Sequence, residues 1–138
     1  MQRRDPERFL DGAGTSRLYR VRFDERTRER SVAIWRVLCR HFFQRYVPET
    51  SVVVDIGAGY CDFTNQIRAA RRIAVDMNPE TREFAAPGVE VAPADIRTLE
   101  GLADGCADVA FASNVLEHLL TKADLMATLS AVRRVLRP

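Results

Sequence analysis

The chain has few cysteines, and their positions suit neither a disulfide framework nor a zinc site. Its 138 residues include only Cys39, Cys61 and Cys106, which lie far apart and form no C-x-x-C pair. His41 and His118 are the only histidines, so no metal site is expected. Reduced thiols are typical of proteins of the cytoplasm, and we predict that location.

Long apolar runs and lysines are also scarce. No segment approaches the ~20 consecutive apolar residues that a membrane-spanning helix needs. Charged residues follow Met1 where a signal peptide would have an apolar stretch. Lys122 is the only lysine, so arginine carries almost all of the positive charge. With 46% apolar and 29% charged residues, the composition predicts one globular domain without a membrane span.

The small net charge of +2 conceals an uneven distribution. Residues 1–46 hold twelve arginines and six acids, whereas residues 47–138 hold nine bases and thirteen acids. A basic segment can attract an acidic partner. However, the acids interleaved along residues 22–30 favour a solvated helix face over a continuous basic stripe. We therefore do not expect a nucleic-acid partner. RNA binding through the arginines of residues 17–45 stays open as an alternative, and it predicts a steeply salt-dependent affinity.

Hydrophobic periodicity predicts a helix followed by alternating strands and helices. The first helix covers residues 27–46, with Trp35, Leu38, Phe42 and Tyr46 along one apolar face. The other predicted helices are 62–70, 79–84, 114–120 and 122–137. Asp62 is the predicted cap of the first of these. The last has an apolar side formed by Leu125, Leu129, Val132 and Leu136. The predicted strands are 52–56, 73–76, 89–94 and 107–112. This order favours an α/β fold with an open parallel sheet between two helical layers.

Three acidic or glycine-rich features follow predicted strands. Gly57 and Gly59 come directly after the first strand, where two glycines allow a tight turn and a close ligand approach. Asp76 ends the second strand, twenty-one positions after Asp55, which is where a carboxylate binds a ribose diol. Asp95 follows the third strand and can accept a hydrogen bond from an adenine amino group. Ligands bind at the carboxyl ends of such strands, so these features predict a nucleoside site.

The charge at this turn favours S-adenosylmethionine (SAM) over a dinucleotide. In the dinucleotide fingerprint G-x-G-x-x-G, the third glycine lets the helix pack closely beneath the pyrophosphate. Asp62 stands in that place, and its carboxylate would repel two phosphates. SAM carries a sulfonium and an amino group instead, and Asp55 is placed to pair with the amino group.

Several motifs together resemble the class I SAM-dependent methyltransferases. Residues 53–59 (VVDIGAG) resemble motif I, residues 74–79 (AVDMNP) the acidic motif after the second strand, and residues 94–96 (ADI) the acid after the third. Residues 107–119 are similar to motif IV, and residues 133–138 to the end of the helix that leads into a fifth strand. The resemblance implies a Rossmann-like, doubly wound three-layer domain over residues 49–138. Residues 1–48 would form an N-terminal helical extension that caps the cofactor.

The resemblance also implies residue roles. Asp55, Gly57 and Gly59 would border the methionine part of SAM. Asp76 would bind the ribose hydroxyls, and Met77 would pack on the adenine. The implied activity is SAM-dependent methyl transfer by in-line displacement.

Further implied contacts follow the later strands. Asp95 and Ile96 would flank the adenine, and Ser113 and Asn114 would line the floor near the methyl group. Cys61 occupies the place of a third motif I glycine, and a small residue is expected to fit there with a modest effect.

The sequence departs from the metal-binding members of the family. Some relatives bind a divalent metal through an E-x-x-E-H run, and here the run is N-V-L-E-H over residues 114–118. With Asn114 in place of the first glutamate, we expect no metal site. His118 is a candidate general base, although methyl transfer needs mainly alignment and a dry site, so a dedicated base is not required.

The family normally continues beyond the last helix with a fifth strand and an antiparallel hairpin. These strands are missing, so we expect the fourth strand to have an exposed apolar edge, which soluble proteins avoid. Three explanations of the missing strands are open: a cut from a longer protein, a second chain that covers the edge, or a degenerate gene product. Without these strands, the chain would bind SAM without efficient turnover. The expected acceptor is a small molecule, sugar or lipid. A non-catalytic binding module and a nicotinamide-dependent oxidoreductase are the alternatives.

Overall fold

The computed structural model describes residues 25–138, and the predicted loop or short helix before Thr27 falls almost wholly outside them. The four strands are β1 (Val52–Ile56), β2 (Arg71–Val75), β3 (Val89–Ala92) and β4 (Val109–Ala112). The α-helices are α1 (Glu25–His41), α2 (Asp62–Gln66), α3 (Thr81–Phe84) and α4 (Lys122–Val135). Two 3-10 turns lie at Phe43–Arg45 and Leu116–His118.

The strands form one parallel sheet in the order β3-β2-β1-β4. Val54 of β1 lies opposite Ile73 of β2 on one side and Ala110 of β4 on the other. Strand β1 is therefore central, which explains its run of β-branched residues. The carboxyl ends of β1 and β2 meet at the same edge of the sheet, as the sequence predicted.

Side chains alternate between two cores because successive strand residues point to opposite faces. Val54 and Ile56 belong to a core that α4 covers through Ala131 and Val135. Val53, on the opposite face, belongs to a second core with further residues from α1, α2 and the segments that follow them: Cys39, Val47, Phe63 and Ile67. The predicted three-layer, Rossmann-like α/β fold is confirmed.

An aromatic cluster joins α1 and α2 to the edge strand. The rings of Phe63 and Phe111 stack with centroids 3.7 Å apart, and Trp35 meets both rings edge-on. Phe43 packs edge-on against the same two rings. Because this cluster joins α1, the 3-10 turn after it, α2 and β4, it fixes α1 on one face of the sheet.

Several predicted element boundaries are wrong. The helix predicted over residues 114–120 is only the 3-10 turn at Leu116–His118, because Asn114 has a φ of 53° and breaks the helix. Asp62 is not a cap: it is the first residue of α2, and Cys61 before it has the capping position. Helix α2 also ends early, because Ile67 is extended.

Strand and helix ends shift by smaller amounts. Strand β2 begins two residues earlier than predicted, and β3 ends at Ala92, before Pro93, which cannot donate a ladder hydrogen bond. Strand β4 begins at Val109, with an isolated bridge at Ala107. In α4 the buried residues are Thr128, Ala131 and Val135. Of the predicted apolar side, Val132 and Leu136 pack against the first core, whereas Leu129 is exposed, so that prediction is only partly right.

The predicted apolar face of α1 is also partly wrong. Trp35 packs in the second core, but Phe42 and Tyr46 are 47% and 64% exposed, and Leu38 is exposed too. Cys39 is the α1 residue that is fully buried. The helix therefore packs through a different row from the one that the aromatic spacing indicated.

The chain just before β4 is paired with the residues after α4. Leu136 forms a parallel bridge with Ala107, and Arg137 donates its backbone N–H to the Ala107 carbonyl. Ala107 belongs to the predicted fourth strand 107–112, so the outer edge predicted to be open is paired at its beginning. Among the residues described, no helix is long and apolar enough to cross a membrane.

The first turn of α4 depends on one side chain. Thr121 Oγ1 accepts a hydrogen bond from the Asp124 backbone N–H at 3.0 Å and donates to the Asp124 carboxylate at 2.7 Å. We expect Thr121→Ala to lower the free energy of unfolding by about 1 kcal/mol, because the helix loses its N-terminal acceptor. Urea denaturation measures this, with Thr121→Ser as the control that keeps the hydroxyl. Equal stability of the alanine variant and the unchanged chain would contradict the capping role.

Candidate functional site

The turn after β1, here called the glycine turn (residues 57–62), is tied to the end of β2. The backbone N–H groups of Gly57 and Ala58 both donate to the Val75 carbonyl, at 2.8 and 2.9 Å. Gly57 has a φ of 72°, a region that favours glycine, and a Cβ built on it would lie 2.3 Å from Cγ2 of Val115. Gly59 also has a positive φ, 51°. Both predicted turn glycines are therefore required by the backbone itself, and Gly57 also by its close neighbour.

Asp76 connects the turn to the second strand. One carboxylate oxygen accepts the Gly59 N–H at 2.8 Å, and the other accepts the Asn78 N–H at 2.8 Å. The side chain is buried, and this burial raises the pKa of the Asp76 carboxyl although both N–H groups lower it. Each oxygen keeps lone-pair capacity for one further donor. Asp76 thus holds the turn in place and has acceptor capacity left at the carboxyl edge of the sheet.

Asp55 lies inside the protein beneath the turn. It points to the α2 side of β1, and its carboxylate accepts a hydrogen bond from Thr64 Oγ1 and another from the Thr64 backbone. Burial raises the pKa of Asp55 to about 7, and the nearby Asp76 carboxylate adds to the rise. The residue therefore titrates near neutral pH, where a cationic group approaching it would favour its ionised form.

The raised pKa of Asp55 makes stability depend on pH. The unfolded chain loses this proton near 3.8 and the folded chain near 7, so the folded state binds more protons in between. The free energy of unfolding should fall as pH rises from about 4 to about 7, by at most about 4 kcal/mol from this group.

Asp55→Asn should remove this contribution. Comparing urea unfolding of the unchanged chain and the variant at pH 5 and pH 8 isolates it, because Asp76 remains in both proteins. We expect the variant to lose less stability than the unchanged chain between the two pH values. Equal losses would contradict the burial of an ionisable carboxyl at this position.

Asp95 is held by an arginine close to it in the chain. Both of its carboxylate oxygens accept hydrogen bonds from the Arg97 side chain, at 2.6 to 3.0 Å, which lowers the pKa of Asp95. Arg97 also reaches Asp124 on α4, at 3.2 Å. The ion pair fixes the loop after β3, including the half-buried Ile96, beside α4. The predicted contact of Asp95 and Ile96 with an adenine stays a prediction. An adenine amino group would have to donate to a carboxylate whose two oxygens already accept hydrogen bonds from Arg97.

The remaining predicted residues lie at the same edge or beyond it. Met77 follows Asp76 and is 40% exposed, as a residue that packs on a ligand would be. After β4, Asn114 Nδ2 donates to Ser113 Oγ at 3.0 Å, and Asn114 has a left-handed backbone. His118, the candidate base, is exposed in its 3-10 turn. These roles also stay predictions.

Sequence reasoning missed the partner of Asp62. Its carboxylate forms an ion pair with Arg28 of α1 and accepts a hydrogen bond from Ser31 Oγ at 2.9 Å. No local pattern signals this contact, because the partners are more than thirty residues apart. The negative charge of Asp62 is therefore compensated, which weakens the predicted repulsion of phosphates.

A different observation argues against a pyrophosphate site. Such a site uses free backbone N–H groups of a glycine turn. Here the N–H groups of Gly57 and Ala58 donate to Val75, and that of Gly59 donates to Asp76. These three backbone donors are therefore engaged within the protein, whereas the Asp76 carboxylate keeps acceptor capacity that suits hydroxyl donors. Within residues 25–138, no group of three or more His, Cys, Asp or Glu side chains is arranged to hold a metal ion.

Comparison with known protein families and structures agrees with this fold. Residues 54–138, more than half of the chain, match the family model described as a methyltransferase domain. No curated protein matches the chain significantly. A SAM-dependent methyltransferase of Archaeoglobus fulgidus is similar in structure, with 25% identity and a TM-score of 0.60 over 77% of this chain and 48% of the other.

Two similar structures contain S-adenosylhomocysteine (SAH), the product form of SAM. Phosphoethanolamine N-methyltransferase 1 of Haemonchus contortus, bound to phosphoethanolamine and SAH, has 18% identity and a TM-score of 0.72, with 97% of this chain and 31% of the other covered. The trans-methyltransferase CalH, bound to SAH, has 23% identity and a TM-score of 0.55, with 78% and 33% covered. This chain thus spans about a third to a half of the length of these proteins. On the family match and the fold, the chain belongs to the class I SAM-dependent methyltransferase domain family.

Proposed function

We propose that the chain binds SAM at the carboxyl edge of β1 and β2 as part of an enzyme that transfers the SAM methyl group. The observation that carries the proposal is the double role of Asp76. Its carboxylate fixes the glycine turn through Gly59 and keeps acceptor capacity for the two hydroxyls of a ribose. The family match and the SAH in two similar structures support SAM as the ligand.

The proposed orientation follows from the neighbours of Asp76. Asp55, Gly57 and Gly59 lie on the β1 side and border the methionine part of SAM. Asp55 acts there through its charge, because its buried carboxylate favours a nearby ammonium group. Met77, which is exposed beyond β2, packs on the adenine.

The other proposed contacts lie on the loops after β3 and β4. Asp95 and Ile96 flank the adenine from the loop after β3. Ser113 and Asn114 form the floor beneath the methyl group after β4. The described part of the N-terminal extension, residues 25–48, caps the site from the α1 side, and residues 1–24 lie outside the described residues.

Methyl transfer at this site needs alignment more than acid–base chemistry. Bound SAM would supply an electrophilic methyl group on its sulfonium, with SAH as the leaving group and the acceptor's proton released. The residues of this site would hold that methyl group in line with the acceptor and exclude water from it. We propose a small molecule, sugar or lipid as the acceptor. A second chain that pairs along the free part of the β4 edge stays a prediction.

Calorimetric titration with SAH tests the cofactor assignment, and NADH serves as the control ligand. The proposal expects saturable binding of SAH and none of NADH. The titration is done at a pH above 7, where Asp55 is ionised and the expected affinity is highest. A folded chain that binds NADH in preference to SAH would contradict the proposal.

A further inference from the structure

One arginine of α1 makes three contacts with the glycine turn and a fourth with a ring of α3. The Arg28 guanidinium pairs with the Asp62 carboxylate and donates to the Tyr60 carbonyl at 3.1 Å. It also lies over the Tyr60 ring, 4.6 Å from the centroid, and 5.9 Å from that of Phe84. Three-quarters of the Arg28 side chain is removed from solvent. An ion pair that is this well covered and also stacked on rings holds its partners more firmly than an exposed pair.

The turn that Arg28 contacts has an unfavourable backbone. Gly57, Gly59 and Cys61 all have positive φ values between 51° and 72°. Cys61, unlike glycine, carries a Cβ, and the left-handed conformation is unfavourable for such a residue. On the β2 side, Val75 and Asp76 hold the first half of the turn. The second half, residues 60–62, accepts hydrogen bonds from Arg28 and Ser31 of α1, and the Cys61 thiol contacts the Thr81 carbonyl of α3.

We propose that Arg28 is a positioning residue for the cofactor site, and that it holds residues 60–62 so that Gly59 and Asp76 stay in the geometry that binds SAM. This inference rests on the proposed function. Arg28 itself does not need to touch the cofactor. It acts through Tyr60 and Asp62, which flank the strained Cys61.

The proposal predicts that cofactor binding and the docking of α1 support each other. If the bound form of the turn requires Arg28, then a bound cofactor must in turn strengthen the Arg28 contacts, because coupling between two sites is reciprocal. Amide hydrogens of α1 near Arg28 should therefore exchange more slowly when SAH is bound.

The test compares SAH affinity in three arginine variants. Arg28→Ala should weaken SAH binding about 10-fold, and Arg28→Lys, which keeps the charge but loses the planar stacking, should weaken it less. Arg30→Ala is the matched control, because Arg30 is exposed and lies about 200° around the same helix. The control should bind SAH as the unchanged chain does. All titrations are run well below the melting temperature of the weakest variant.

A double-mutant cycle checks that Arg28 acts through its ion pair. Asp62→Ala should weaken SAH binding to a similar extent as Arg28→Ala. The double variant should show about a 10-fold loss as well, because each substitution already breaks the same contact. A loss near 100-fold in the double variant would show independent effects and overturn the proposed route.

Hydrogen exchange separates positioning from general destabilisation. In Arg28→Ala, the amides of residues 57–62 should exchange faster while those of α4 keep their protection. Equal acceleration in α4, or unchanged SAH affinity in Arg28→Ala, would overturn the inference and leave the proposed function intact. Failure of the unchanged chain to bind SAH would instead contradict the proposed function and, with it, the role of Arg28.

Discussion

Replacing Asp76 with alanine should reduce SAH affinity at least about 100-fold. The substitution removes the acceptor for two ribose hydroxyls, and hydrogen bonds to a charged group contribute about 1.5–3 kcal/mol each. It also leaves the N–H groups of Gly59 and Asn78 without their carboxylate acceptor, so that the turn loses one of its ties to β2. Calorimetric titration of the folded variant with SAH measures the loss.

Two further variants show whether a loss of SAH affinity in Asp76→Ala comes from the carboxylate itself. Asp76→Asn keeps the size of the side chain and one acceptor oxygen, so its affinity should lie between those of the alanine variant and the unchanged chain. Asp104→Ala removes an exposed carboxylate that pairs with Arg134, far from the turn in sequence, and should leave SAH affinity unchanged. An Asp76→Ala variant that binds SAH like the Asp104→Ala control would contradict the proposed ribose contact.

Replacing Gly57 with alanine should both destabilise the chain and prevent cofactor binding. The new methyl group would lie 2.3 Å from Val115 Cγ2, far inside van der Waals contact, and the φ of 72° disfavours any residue with a Cβ. Overpacking costs about 1–3 kcal/mol and the left-handed backbone about 1–2 kcal/mol more. We therefore expect a loss of about 2–5 kcal/mol in urea unfolding and no measurable SAH binding in the folded fraction.

Gly101 provides a matched control for the cost of placing a residue with a Cβ in a left-handed backbone. Its φ is 83°, similar to that of Gly57, but a Cβ built on it meets no heavy atom within 4 Å. Gly101→Ala should therefore lose only the backbone contribution and keep SAH binding. Adding Val115→Ala to Gly57→Ala should recover part of the stability. If Gly57→Ala and Gly101→Ala were equally stable, the contact with Val115 would not constrain the turn.

Local sequence patterns predicted the parts of the site that local forces determine. The β-branched run of residues 52–56 gave the bounds of β1 correctly, because a central parallel strand needs apolar side chains on both faces. The glycines at 57 and 59 were identified as turn residues for the same backbone reason that the structure shows. The pattern predicts Asp76 as the last residue of the second strand; β2 ends one residue earlier, at Val75, and Asp76 directly follows it beside that turn.

Features that depend on tertiary contacts were not predictable from the same patterns. Asp62 looked like a helix cap, whereas its partners on α1 are distant in sequence. The spacing of aromatic residues on α1 fits more than one row, and only packing against α2 and β4 selects the row of Trp35 and Cys39. The residues around Asn114 are compatible with a helix, but the left-handed backbone of Asn114 itself prevents a helix from beginning there.

SAM is proposed to bind where the turn after β1 meets the end of β2, and NMR of the isotopically labelled chain locates the bound ligand. During titration with SAH, the backbone amide signals of Gly57, Gly59 and Met77 should shift in a saturable way. The signals of Gly101 and Gly105, remote glycines with similar backbone conformations, should stay unchanged. Saturable shifts that leave the Gly57 and Gly59 signals unchanged would place the ligand elsewhere and contradict the proposed site.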